Sequence, residues 1–174
     1  MTGDDSFKGK KILVVDDESD ILETLEELLD EFDIETASTF ESAKELMESK
    51  GYDAAILDIM GVKGFDLLEI AAEKKIPVLM LTAHGLNPDN LVGSIKLGAK
   101  SYIPKEKMSE IDLYLQEIFV TQEKGIEQSG TWFARLSSFF DDRFGSGWKN
   151  KDKKFWNEFD KTLKVSKDEL EKIM

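Results

Sequence analysis

Cysteine is missing from all 174 residues, and histidine occurs once, as His84. Without thiols there is no disulfide framework and no thiolate metal site, which fits a reducing compartment. No apolar run approaches membrane-span length, and the first residues, MTGDDSFKGKK, lack the apolar core of a signal peptide. The expectation is a soluble, cytoplasmic chain without membrane contact. Basic residues are in deficit: 23 Lys and Arg stand against 36 Asp and Glu, a net charge of −13. The deficit is uneven, with residues 1–124 at −14 and residues 125–174 at +1. An acidic body argues against nucleic acid as a partner, and a neutral C-terminal segment does not restore that idea. Internal repeats and low-complexity tracts are also absent. The length suits one well-cored domain with an appendage, not two full domains.

What is present is an alternation of strand-like and helix-like stretches. Lys11–Val15 (KILVV) reads as a first strand, and the stretch after it carries Ile21, Leu22, Leu25, Leu28, Leu29 and Phe32 at helical spacing. A strand over Ile34–Ser38 precedes an amphipathic helix over Phe40–Ser49. Tyr52–Asp58 (YDAAILD) follows, an apolar run too short for a helix and suited to a strand buried on both faces. Next come a helix over 65–74, a strand over Pro77–Leu81, and a helix opened by Asn87 as cap and Pro88 in its first turn. Gly93 makes that helix weak. Ser101–Ile103 is a brief fifth strand, and Ser109 is expected to cap a long helix bearing Ile111, Leu115, Ile118 and Phe119. Five strand–helix repeats predict a parallel sheet covered on both faces.

Three of these strands end on residues with chemistry. The first ends on Asp16 and Asp17, the third on Asp58 and the fourth on Thr82. In open α/β sheets, the carboxyl ends of the strands are where ligands bind. Singly, each residue has a plainer use. Asp16 and Asp17 suit a helix N-terminus, Asp58 a helix cap, and Thr82 a hydroxyl bonded to nearby backbone. Lys105, after the fifth strand, suits the surface.

Together, in this order, Asp16-Asp17-Glu18, Asp58, Thr82-Ala83 and Tyr102-x-x-Lys105 resemble the receiver domain of two-component response regulators. The resemblance covers roughly Lys10 to Glu123. It implies a flavodoxin-like, doubly wound five-stranded parallel sheet of order 2-1-3-4-5. It also implies that Asp58 accepts a phosphoryl group from a partner histidine kinase or phosphotransfer protein. Asp17 and Asp58 would bind Mg²⁺ directly, Asp16 through water, and Met60 through its backbone carbonyl; an oxygen-only donor set suits that ion. Lys105 would stand beside the phosphoryl oxygens, and Thr82 would offer one of them a hydroxyl, with Ala83 leaving room. Tyr102 corresponds to the family's aromatic switch and is expected to turn inward on phosphorylation. His84, two residues past Thr82, reads as a solvated loop residue. The resemblance makes the chain a signalling protein and not an enzyme. Its alternative is a pseudo-receiver, the same fold binding proteins without phosphorylation.

Two departures from the family pattern stand out. Glu106 follows Lys105 where the family has proline, so a trans bond is expected there. The loop IMGVKGF after Asp58 is also shorter than usual. Residues 1–9 read as a flexible lead and 10–124 as the receiver. Residues 125–174 read as a helical, aromatic-rich extension of unassigned role. Gly125–Gly130 is a linker, and the segment from there holds all three Trp and six of the eleven Phe. Trp132, Phe133, Leu136, Phe139 and Phe140 form one helical stripe ending near Gly145. Asp152 opens a second with Phe155, Trp156, Phe159 and Leu163, and Ser166-x-x-Glu169 is a capping box. These stripes predict a packing surface against the receiver or a second copy of the chain.

Overall fold

A computed structural model describes residues 7–126 and 130–161. The sheet is built from β1 (Lys11–Val15), β2 (Asp33–Ala37), β3 (Ala54–Leu57), β4 (Val78–Thr82) and β5 (Ser101–Pro104). All neighbours are parallel, in the order β2-β1-β3-β4-β5. This is the expected doubly wound α/β topology. β3 and β4 are buried at every position, as the apolar runs AAIL and VLML require, whereas edge strand β2 (DIETA) stays partly exposed. The helices are α1 (Ser19–Leu28), α2 (Phe40–Ser49), α3 (Gly64–Glu73), α4 (Pro88–Lys96) and α5 (Ile111–Glu123). α4 starts as expected: the Asn87 side chain accepts a hydrogen bond from Asn90 N at 2.7 Å, and Pro88 takes the first turn.

Three expectations are corrected. Ser109 is not a cap, because a 3₁₀ turn over Lys105–Glu110 absorbs it and α5 opens at Ile111 without a side-chain cap. The central strand is shorter than Tyr52–Asp58; Tyr52 lies outside it and donates its hydroxyl to Glu35 on β2. The lead is not loose up to residue 9, since Phe7 is buried and packs at a tilt against Phe119 with ring centroids 5.3 Å apart.

The C-terminal extension forms α6 (Thr131–Phe144), closed by Gly145 at φ 87°, then a 3₁₀ turn (Trp148–Asp152) and a helical run over 153–161. Asp152 does cap that run, accepting from Phe155 N at 3.2 Å. Leu163 and the Ser166–Glu169 box lie outside the described residues. Of the two packing surfaces expected, the extension uses the receiver: α6 lies on β5. Trp132, Phe133, Leu136, Phe140, Trp156 and Phe159 are buried in the same core as the sheet. Charge pairs surround this contact, with Lys96 of α4 3.1 Å from Asp152 and Lys151 3.1 Å from Asp89. Arg143 pairs with Glu106, and Arg135 with Glu117 of α5.

Candidate functional site at the strand ends

The sheet register brings the ends of β1, β3, β4 and β5 side by side, Val15 beside Leu57, Leu57 beside Met80 and Thr82 beside Pro104. Residues that immediately follow these ends therefore converge. Asp58 N donates to Val15 O at 3.0 Å, which ties the β3 exit to β1. Asp16 and Asp58 are only 2% and 3% exposed, a costly place for two carboxylates. Lys105 answers that cost: its Nζ lies 2.8 Å from Asp16 Oδ2, 3.1 Å from Asp58 Oδ2 and 3.4 Å from Glu18 Oε1.

The electrostatics follow from this burial. Burial is the largest influence on Asp16 and lifts its carboxyl above the ordinary 3.8. Lys105 and the Glu18 N–H pull it back, while the Asp58 charge adds to the lift. Burial alone would lower Lys105, but hydrogen bonds and charge from Asp16 and Asp58 outweigh it and raise the ammonium above its ordinary range. Lys105 is therefore a permanent cation here.

Within the acid cluster, one buried oxygen is left over. Asp58 Oδ1 is buried without a hydrogen-bond partner. Asp16, Asp17, Glu18 and Asp58 each bring a carboxylate oxygen within 4.8 Å of the others. An orphaned buried oxygen among acids fits a hard divalent cation, which takes oxygen ligands. Asp17 is exposed, and Met60 follows in the turn after Asp58 with its side chain toward solvent. Two glycines make the turn possible. A Cβ on Gly61 (φ 86°) would stand 2.5 Å from Asp17 Oδ2, and one on Gly64 would stand 2.0 Å from the Asp58 carbonyl oxygen. Sequence reasoning gave no role to Glu18, Gly61 or Gly64. Three successive acids were a signal for the first; the glycines gave none without the turn.

The family description "Response regulator receiver domain" matches residues 12–116. The chain belongs to that family. Among curated relatives of this receiver, the transcriptional regulatory protein CpxR homolog of Haemophilus influenzae is 41% identical over 101 residues. That match spans 55% of this chain and 43% of the relative. Response regulator GtcR of Aneurinibacillus migulanus is 33% identical over 141 residues, 74% of this chain and 58% of its own length. The chain thus spans about half the length of the curated relatives it matches. Among solved structures, a CheY-like receiver domain protein from Methanospirillum hungatei superposes with a TM-score of 0.62 at 28% identity. It covers 67% of this chain and 98% of its own. A BeF3-activated DrrB receiver domain superposes with a TM-score of 0.56 at 26% identity, covering 64% and 97%. The expectation of no nucleic acid gains nothing from relatives named as transcriptional regulators.

Thr82 lies fully buried at the end of β4, and its Oγ1 accepts a hydrogen bond from Gly85 N at 3.0 Å. Ala83 and His84 are exposed on the loop beyond it. Tyr102 lies with its ring inward and fully buried. Its hydroxyl donates to Gly85 O at 2.7 Å and accepts from Asn87 N at 3.2 Å. Burial, as the largest influence, raises this phenol so that it stays protonated. The peptide bond after Lys105 is trans, as expected for Glu106. Among the described residues, no helix is long and apolar enough to cross a membrane.

Proposed function

We propose that this receiver is a cytoplasmic phosphoacceptor that takes a phosphoryl group onto Asp58 from the phosphohistidine of a kinase or phosphotransfer partner, and thereby changes a surface for protein contact. The observation that carries the reading is the buried Asp16–Lys105–Asp58 arrangement with Asp58 Oδ1 left unpartnered. In the transfer, the Asp58 carboxylate forms the new O–P bond, the donor's P–N bond breaks, and the imidazole leaves. Phosphoryl transfer asks mainly for positioning and charge stabilisation. Lys105 already spans the carboxylate that attacks and the acid beside it, so it neutralises charge without reorganising. Thr82 keeps its hydroxyl hydrogen for a phosphoryl oxygen, since its oxygen is the acceptor for Gly85 N. Asp17 and Asp58, with Asp16 through water and the Met60 carbonyl, would hold Mg²⁺. When bound, the ion supplies positive charge against the phosphoryl oxygens.

Regulation of transcription, which the names of the curated relatives describe for those proteins, is a compatible output. The test is intact-protein mass spectrometry with acetyl phosphate. The expected result is one added phosphoryl group with Mg²⁺ and none without it, and no gain in Asp58→Asn. Wild-type chain that stays unlabelled would favour binding without phosphorylation.

A further inference from the structure

Tyr102 sits between two parts of the chain that share no sequence neighbourhood. On its inner side the hydroxyl is bonded to Gly85 O and Asn87 N, two points of the loop joining β4 to α4. Gly85 in turn donates its N–H to Thr82 Oγ1. That turn is pressed onto the site: a Cβ on Gly85 would stand 2.9 Å from Thr82 Oγ1 and 2.9 Å from Ile59 Cβ. On the other side, the Tyr102 ring faces Phe140 of α6, itself fully buried, with centroids 6.1 Å apart. Of the elements packed on β5, α6 is the one that brings a ring against Tyr102.

We infer that the C-terminal segment is a positioning device for the phosphoacceptor site: Phe140 of α6 holds Tyr102 inward, and Tyr102 holds the Gly85 turn that orients Thr82. The inference rests on the proposed role of Asp58 and Thr82. It gives residues 125–161 a function that the receiver alone does not supply. The physical basis is differential binding. α6 packs on β5 with Phe140 against the ring, so swinging Tyr102 out has to displace α6. The docked segment therefore favours the inward ring and, through two hydrogen bonds, the tied turn. The ion pairs Lys96–Asp152 and Lys151–Asp89 fasten the same segment to α4, whose cap Asn87 is the second residue that Tyr102 bonds. Linkage fixes the sign: if docking favours the tied turn, a phosphoryl group bound through Thr82 favours docking by the same factor. Phe140 is thus a positioning residue, acting through Tyr102.

The test uses the full chain and two variants. Hydrogen–deuterium exchange at residues 83–87 is measured with neither metal nor phosphodonor present, and Asp58 labelling by acetyl phosphate with Mg²⁺ is timed separately. In Phe140→Ala, exchange at 83–87 should rise by about 5-fold or more, the lower end of ordinary coupling between sites. Tyr102→Phe keeps the ring packing and removes the hydroxyl. It should raise exchange at 83–87 while leaving α6 unchanged, which guards against Phe140→Ala simply loosening the fold. Both variants should label more slowly than wild type. Unchanged exchange at 83–87 in either variant overturns the coupling. Raised exchange with wild-type labelling rates overturns the positioning role of Thr82. Failure of the wild-type chain to label at all would sink the phosphoacceptor reading instead, and the exchange result would still decide the link between α6 and the loop.

Discussion

The receiver half and the C-terminal half bury different kinds of side chain. From β1 to α5, the burial that matters to chemistry is of charge, with Asp16, Asp58 and Lys105 withdrawn from water at strand ends. From α6 onward it is of rings. Phe133 lies 5.7 Å from Phe140 and 5.1 Å from Trp156, and Trp148 and Trp156 meet edge to face at 5.1 Å. One of its cations also serves the rings, since Lys149 Nζ stands 4.9 Å from the Phe133 centroid and 5.0 Å from that of Trp156. A buried charge is tolerated where geometry fixes good partners, as it does for these three at the strand ends. Aromatic surface needs only a complementary face, and β5 with α4 provides one. The two halves are thus dissimilar in chemistry and joined in packing.

The hardest test of that union is Phe133→Ala. Removing a buried Phe costs about 3–5 kcal/mol, or roughly 6–20 °C in melting temperature for a chain of this size. Thermal unfolding followed by tryptophan emission reports only the extension, which holds Trp132, Trp148 and Trp156, whereas far-UV circular dichroism weights the whole sheet and its helices. Both transitions should fall together. If only the emission transition falls, the two halves unfold separately.

A smaller effect probes the charged half. Mg²⁺ at 100 times its Kd should stabilise the chain by about 2.7 kcal/mol, or roughly 5–10 °C. Asp17→Ala should lose most of that gain in the same melting assay. Equal gains in both chains would place the ion outside the strand-end cluster.

The smallest effect sits at the seam. Burial, the largest influence, holds Glu117 above its ordinary 4.5 against the pull of Arg135. A carboxyl raised by folding costs stability when ionised, fully so above its folded titration and not at all below 4.5. Glu117→Gln should therefore melt slightly higher than wild type at pH 7, by no more than about 4 °C. That advantage should shrink as pH falls toward 4.5. A lower melting temperature at pH 7 would show that the ion pair with Arg135 outweighs the burial.

The charged half was largely legible in the sequence because its chemistry demands particular residues at particular strand ends. Asp16, Asp58 and Lys105 follow strands and Thr82 ends one, and strand order alone makes them neighbours. Less legible were features that depend on a turn's shape. Ser109 has a capping side chain, yet the 3₁₀ turn after Lys105 moved the helix start past it. Phe7 is one ring in a polar lead, with no periodicity to announce its contact with Phe119. The extension's stripes said that rings would be buried, but periodicity carries no address. Contacts such as Arg143 with Glu106 or Phe140 with Tyr102 join residues that no local pattern relates. For the same reason the cover over Tyr102 was unreadable, since it is encoded nearly forty residues later.

That separation also has a consequence in time. A ribosome adds about 5–20 residues per second, so Phe140 emerges roughly 2–8 s after Tyr102. Throughout that interval the nascent sheet can be complete while β5 still lacks its cover, presenting an edge strand and a bare tyrosine face to whatever is nearby. The residues of the candidate site, all upstream of Glu106, are synthesised before this cover exists. Each newly made molecule therefore passes through a brief juvenile stage in which its acids are in place and its extension has yet to close over Tyr102.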